Sequence, residues 1–415
     1  MDTTKKMKIM VLAGGNDQAA LIQELRRCFG ENVEILLLDM NENVIARPFA
    51  DRFLKISTMD KNTVLQAAKE EKIDYILTAC GDQPLSTMAY VSAQMGLPCY
   101  LSEEDVRNLT NKIFMKSKMV NNGIPTAKFI VLESIDNVPD LSSFIWPLIV
   151  KPVDSNGSKG VKKVCRQEEL NPFLKEAYDY SISKKVIIEE FKQGEELSVD
   201  VYVEGQKAKL LTISTSNKVG ENKDAFTILQ SEFPPKVDFS RSKVEQIAQQ
   251  ITDTFRLHDT PLLVQMIVDG DECNVVEFSA RMGGGSKYHI VEVMTGVNIM
   301  QVYVDMIMGG KPTVEPENKW DYATMNYVYC RPGKFSSLEN FDKLQSSGYI
   351  HSYFTYKMRG SIIEKSTTSS DRVAGFLIVG NSKQEIDEKL NYVNKSVRVL
   401  DSQGCDIMRH DFFEN

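Results

Sequence analysis

The chain has 415 residues, a formal charge of −8, and 42% hydrophobic against 26% charged residues, the balance of a globular protein long enough for two to four domains. No basic stripe with interleaved aromatics points to nucleic acid, and no run of about 18 apolar residues points to a membrane span. The seven cysteines are scattered with no CxxC pair, and the four histidines form no HxH or HExxH spacing, which argues against a disulfide framework and a structural zinc site. The start, MDTTKKMKIMVLAGG, runs into a strand and turn rather than a signal-peptide cleavage site, so the expected location is cytoplasmic, with neither membrane nor nucleic acid as partner.

From Lys8 the pattern is strand, helix, strand: KIMVLAGG, NDQAALIQELRRCFG, VEILLLDM. Apolar residues at Ala20, Leu21, Leu25 and Phe29 recur at helical spacing. The alternation continues as FLKI, helical NTVLQAAKEEK, DYILTA, helical QPLSTMAYVSAQMG and a strand PCYL, predicting a parallel sheet in an open α/β domain over 1–110. The Gly14-Gly15 turn sits where such folds bind ligands, but AGGNDQA is not GxGxxG and reads first as a tight turn.

A helix is expected over 111–121, stopped by Asn122-Gly123 and Pro125. Beyond it FIVL, PLIVKPV, VKKVC, KVIIEEF, ELSVDVYV, KAKLLTIS, LLVQMIV and CNVVEFS read as strands. Glycine-containing turns at VYVEGQKAKLL and IVDGDECNVV indicate antiparallel hairpins, hence an α+β region. After Gly310, DRVAGFLIVG reads as a strand and SKQEIDEKLNYVNKSV as an amphipathic helix. The expected division is 1–110, 111–310 and 311–415.

Three stretches carry chemistry. In IVKPVDSNGSKGV a lysine, Lys151, leaves an apolar strand just before a small polar loop containing Ser155, Gly157, Ser158 and Gly160. Such a loop reads equally as a flexible hairpin and as a backbone cradle for phosphate. In KVIIEEFKQGEE a strand delivers Glu189, Glu190, Phe191 and Lys192, then Glu196; the choice is between a solvated acidic turn and an adenine hinge with a ribose-holding carboxylate. In VVEFSARMGGGSKYH Glu277 stands on a hairpin opposite Gln265, with Arg281 just beyond. Oxygen ligands there suit Mg²⁺, and the Gly283–Gly285 run would leave amides for a negatively charged group.

The order and spacing of these stretches resemble the ATP-grasp superfamily of carboxylate-amine ligases over nearly the whole chain. TNKIFMKSKMVNNGIPT fits the family's first nucleotide lysine, giving Lys112; Lys151 and the 155–160 loop fit its second lysine and lid, and 189–192 with Glu196 its adenine and ribose contacts. The resemblance implies an ATP-grasp fold of α/β and α+β parts, with a lid subdomain over about 125–190. It further implies metal positions at Gln265, Glu277 and Ser279 and catalytic roles for Lys112, Lys151 and Arg281. Two departures stand out: Gln265 replaces the usual acidic residue, as in one half of the carbamoyl phosphate synthetases, and Ser279 replaces the usual asparagine. Such looseness is similar to the bacterial L-amino-acid ligases.

The resemblance implies ATP and Mg²⁺ or Mn²⁺ as cofactors, small-molecule carboxylate and amine substrates, an acyl phosphate intermediate, and a homodimer. Substrate-contact candidates are Gly283, Gly284, Glu232 within FTILQSEFPPK, Lys287 to His289, and Arg331 and Arg359. The alternatives are a purine-pathway or carbamoyl-phosphate-type ligase, and a nucleotide-binding protein without ligase turnover.

Overall fold

A computed structural model describes residues 6–154, 160–219, 227–364 and 368–413. The chain opens with β1 (Met7–Leu12), α1 (Asn16–Phe29), β2 (Val33–Leu38), β3 (Arg52–Leu54), α2 (Lys61–Glu71), β4 (Tyr75–Leu77) and α3 (Asp82–Met95). The four strands form one sheet, order β3-β2-β1-β4, with every pairing parallel. Its strands are apolar along their length because helices cover both faces. Leu21, Ile22 and Leu25 of α1 pack on one side; Val64 of α2 and Met88 of α3 belong to the cluster on the other.

The expected strand at PCYL is irregular instead. Pro98 has no amide to give a ladder, and Tyr100 spends its hydroxyl on the carbonyl of Ala280 while its ring packs edge-on to Tyr303. A helix not expected there, α4 (Glu103–Leu109), starts at a capping box in which Ser102 and Asp105 satisfy each other's backbone amides. α5 (Lys112–Asn121) follows, its first amides accepted by Asn111.

A second four-stranded sheet, order β5-β8-β6-β7, holds β5 (Phe129–Leu132), β6 (Leu148–Pro152), β7 (Lys162–Val164) and β8 (Val186–Glu190), with α6 (Gln167–Tyr180) on one face. It has its own core, including Leu148, Val150, Leu170, Leu174 and Ile188. An eight-stranded antiparallel sheet then runs β13-β12-β9-β10-β11-β14-β18-β16. Its members are β9 (Glu195–Glu204), β10 (Lys207–Lys218), β11 (Ile228–Phe233), β12 (Thr260–Asp269), β13 (Glu272–Ser279), β14 (Tyr322–Val328), β16 (Ser352–Thr355) and β18 (Ala374–Gly380). Helix α7 (Arg241–Phe255) packs on β10 and its neighbours, and α8 (Lys287–Thr295) and α9 (Ile299–Ile307) link the sheet to α1. Because β11 pairs with β14, this sheet is continuous across position 311, where a division was expected.

The remaining elements are β15 (Gly333–Glu339), α10 (Phe341–Ser346), β17 (Ile362–Ile363), α11 (Lys383–Ser396) and β19 (Arg398–Asp401), with β17-β15-β19 as a small fourth sheet. Among the described residues no single helix is long and apolar enough to cross a membrane.

Candidate active site

A tract of charged side chains runs along the cleft between the β5-β8-β6-β7 sheet, which covers the segment expected to be a lid, the large sheet and α3. At the lid end Lys151 of β6 and Lys116 of α5 close on Glu189 of β8. The Lys151 ammonium is 2.6 Å from Oε1 and Lys116 is 3.0 Å from Oε2, the latter off the hydrogen-bonding angle and so an ion pair only. All three are at most 7% exposed. Burial alone would raise the Glu189 carboxyl, yet the two lysines outweigh it and hold it down to about 2. Burial likewise lowers Lys116, with Glu189 opposing. Lys116 also donates to Thr126, which donates to the carbonyl of Val275, so the triad is stitched to β13.

In the middle stands Glu277. Cys273 and Val275 on β13 face the core, and strict alternation would send Glu277 after them. A bulge intervenes: Val275 pairs with Met266 but Glu277 pairs with Gln265, so Val276 is the extra residue and Glu277 turns to the cleft with Gln265 and Ser279. Lys112 lies 3.7 Å from the Glu277 carboxylate. Gln265 donates to Glu196, which is also paired with Lys218, leaving the Gln265 carbonyl oxygen as its remaining ligand atom.

At the far end Arg281 makes a two-pronged contact with Asp82, the first residue of α3, both nitrogen–oxygen distances being 2.7 Å, and it donates to the carbonyl of Met282. Burial depresses the Arg281 guanidinium, but Asp82 more than compensates and it stays firmly charged. Asp82 is drawn down in turn, burial being outweighed by Arg281, the Ser279 hydroxyl and Lys112. The field of Glu277 reaches both Lys116 and Arg281, so lid, middle and far end are one electrostatic unit.

Not every expected residue joins this tract. Ser155, Gly157 and Ser158 lie outside the described residues; Gly160 is seen at φ +72°, with Tyr180 and Pro152 closing around it. The Glu189 side chain serves the lysines, not an adenine. The amides of Glu190 and Phe191 already go to the carbonyls of Lys128 and Pro147, so neither is free to meet a base. Glu232, expected to orient an amine, is buried and saturated: Lys236 at 2.7 Å, Lys383 at 3.4 Å and Asn217 at 3.0 Å take its oxygens.

His289 stacks on Phe354 with ring centres 4.3 Å apart, and burial followed by His351 pushes it down to about 4, a neutral packing histidine. Arg331 pairs with Asp411 on the surface and Arg359 is exposed; neither is brought to the cleft. Gly283 abuts Asp200 and Lys287, and Gly284 lies beside Cys80 and Asp17.

Two residues of the tract, and two buried charges near its far end, escaped the sequence reading. Lys116 is one helical turn from Lys112, and that i, i+4 spacing was its signal. Asp82 begins the helix after β4, at the strand-end position where open α/β sheets present ligands. Asp17 and Arg372 had no local signal.

No cluster of three or more His, Cys, Asp or Glu side chains suited to a metal occurs among the described residues. Glu277, Gln265 and Ser279 give one carboxylate and two neutral oxygens, a set that fits Mg²⁺ only when phosphate oxygens and water complete the octahedron.

An ATP-grasp domain model matches residues 144–289, the span from the lid strands through the Arg281 loop. The phosphoribosylamine–glycine ligase of Leptospira interrogans is 26% identical, over 94% of this chain and 95% of that enzyme. The L-arginine-specific L-amino acid ligase of Bacillus subtilis is 23% identical, over 82% and 83%. In fold, the L-amino acid ligase from Bacillus licheniformis superposes with a TM-score of 0.76 at 18% identity, covering 96% of this chain and 100% of that one. A small sheet beside a large antiparallel sheet, a cleft lined from both, and matches along nearly the full length give the chain an ATP-grasp fold, with an ATP-grasp domain over residues 144–289 and similarity to ATP-dependent ligases.

Proposed function

We propose that the chain activates a substrate carboxylate with ATP and joins it to an amine, with amino acids as the substrate class. The observation that carries this reading is the convergence of Lys112, Glu277 and Arg281, from α5, β13 and the loop after it, next to the Lys151–Glu189–Lys116 triad. Phosphoryl transfer needs positioned positive charge around the moving group more than it needs a protein nucleophile.

In the first step a carboxylate oxygen attacks the γ-phosphorus, the bond to the β-phosphate oxygen breaks, and ADP leaves with the electron pair. Lys112, Lys151 and Arg281 neutralise the charge spread over the transferring oxygens. A divalent ion bound at Glu277, Gln265 and Ser279 would supply further charge neutralisation at the phosphates, and Mg²⁺ suits that oxygen set. In the second step the neutral amine nitrogen attacks the acyl carbon, the carbon–oxygen bond to phosphate breaks, and phosphate departs with that electron pair, taking the one proton the nitrogen gives up as the amide forms. Arg281 would serve both steps, a reading supported by its two-pronged contact with Asp82, which fixes the guanidinium in a largely buried position. The lid has a reason to close, because water would consume an acyl phosphate.

Phosphate release from ATP over a panel of acid and amine pairs tests the reading. Release that requires both components supports it; tight ATP binding with no productive pair sinks it in favour of a nucleotide-binding protein. A phosphoribosylamine as the amine is a second reading, favoured by the 26% identity to the Leptospira enzyme along almost the whole chain, and that amine with glycine belongs in the same panel. The homodimer expectation rests on resemblance alone and is checked by light scattering, where a single-chain mass would refute it.

A further inference from the structure

Arg372 stands out as a cation that the ligation chemistry above does not use. It is 9% exposed, lies 3.6 Å above the ring of Tyr327, and donates from Nε to the Tyr329 hydroxyl and from Nη2 to the carbonyl of Ile228. Among the described residues no carboxylate comes within 4 Å of its guanidinium. A guanidinium cannot shed its charge, and a buried charge without a counter-ion is costly unless an anion arrives to meet it.

The remaining nitrogen, Nη1, faces the glycine loop: a Cβ on Gly285 would lie 2.5 Å from it. On the same loop Asp17 accepts weakly from the Ser286 amide at 3.4 Å, and its other oxygen is 3.9 Å from where a Gly284 Cβ would be. Asp17 feels both Arg281 and Arg372 yet is paired with neither, and burial, outweighing those cations and the loop amides, pushes it up to about 6.

The backbone around these two groups is held in an uncommon conformation. Ala13, Cys80 and Ser286, none of them glycine, all have positive φ, at 71°, 59° and 62°. Ala13 lies three residues before α1, Cys80 two before α3, and Ser286 caps α8. Strain of this kind persists where the surroundings over-determine it, often at sites that hold a ligand. Ser286 is further pinned by hydrogen bonds from Asn16 and Tyr356. Tyr356 also lines a cavity of about 330 Å³ with Gly14, Gly15, Asn43 and Lys357, large enough for a side chain.

We propose that Arg372 and Asp17 form a clamp for the amine component, an α-amino acid, with Arg372 on its carboxylate and Asp17 on its ammonium. The inference rests on the ligase reading but makes a demand of its own. An amino acid serving as the amine must keep its carboxylate away from the phosphoryl site, and a second buried cation, distinct from the Arg281–Asp82 pair, does that. The ammonium held at Asp17 gives one proton to that carboxylate, which leaves a neutral amine with a lone pair to attack the acyl phosphate.

Equilibrium binding separates this proposal from the ligase reading because it needs no turnover. With a non-hydrolysable ATP analogue present, the twenty α-amino acids are titrated by calorimetry against the intact protein, then the best binder's carboxamide and its analogue lacking the amino group. The expected result is that losing either charged end weakens binding by about 30-fold, the worth of one charge-assisted hydrogen bond. Arg372→Met should remove discrimination against the carboxamide, and Asp17→Asn discrimination against the desamino analogue. Unchanged analogue affinity certifies each fold; if Arg372→Met fails that control, Arg372→Lys is read instead and should narrow the same discrimination. The proposal is overturned if no α-amino acid binds, or if both discriminations survive the substitutions. Failure of phosphate release with binding intact would sink the ligase reading alone.

Discussion

At the lid end of the cleft Lys151 and Lys116 share the single carboxylate of Glu189; at the far end Arg281 is paired with Asp82, and among the described residues Arg372 has no carboxylate within 4 Å. The first arrangement is complete before any ligand binds, so a nucleotide must compete with Glu189 for its lysines. In the second, one cation is already oriented and another is available to an anion. The contrast separates groups that hold the chain together from groups that wait for substrate, and substitutions at the two ends should fail in different ways.

Glu277 gives the largest expected effect on turnover with the least on folding, since it is the most exposed carboxylate of the tract at 39%. Glu277→Gln should lower turnover by about 10²–10³-fold while the melting curve stays near the parent's; a collapse of the fold with activity retained per folded molecule would reverse its assignment. Arg281→Met should cost both, because it strands buried Asp82: about 3–5 kcal/mol of stability by denaturant titration, alongside the loss of turnover. Pairing it with Asp82→Leu should restore most of the stability and none of the activity. A double variant that regains turnover would show the arginine to be structural only.

The triad predicts acid lability. The folded value of Glu189 lies near 2, below its ordinary 4.5. Its contribution is therefore fully present above pH 4.5 and is lost as pH falls from there toward 2, a span worth roughly 3 kcal/mol. Urea titrations at stepped pH should show the parent losing that increment while Glu189→Gln, weaker at neutral pH, changes less over the same range; parallel curves would contradict the pairing. The smallest effect belongs to Glu232. Its oxygens are satisfied by Lys236, Lys383 and Asn217, so Glu232→Gln should alter stability yet leave turnover within about twofold. A large rise in the Michaelis constant for the amine would return it to the substrate site.

Much of this site was legible because its parts are local. The Lys151 strand, the Glu277 hairpin and the loop after it are each contiguous, and their periodicity set them on strands ending at a cleft. That the hairpin would bring Gln265 and Glu277 to one face was legible, and they pair; which face that would be was not. It depends on the bulge at Val276, and a bulge leaves no mark in a run of apolar residues. Asp17 and Arg372 are 355 positions apart and meet only through the loop at 284–286. The positive φ of Ala13, Cys80 and Ser286 was hidden for a related reason: turn reading looks for glycine, and tertiary contacts impose these turns on other residues. The continuous sheet across position 311 is a long-range pairing, β11 with β14, that no local signal encodes.

The central claim is that the cleft phosphorylates a carboxylate. For an acid found active in the phosphate-release panel, labelling its carboxylate with oxygen-18 tests this directly by mass spectrometry of the released phosphate. Transfer of one labelled oxygen per turnover is the predicted result, since that oxygen bridges carbon and phosphorus in the intermediate and leaves with phosphorus. Unlabelled phosphate would show that the acid never attacked the nucleotide, and the account of this site would have to be abandoned.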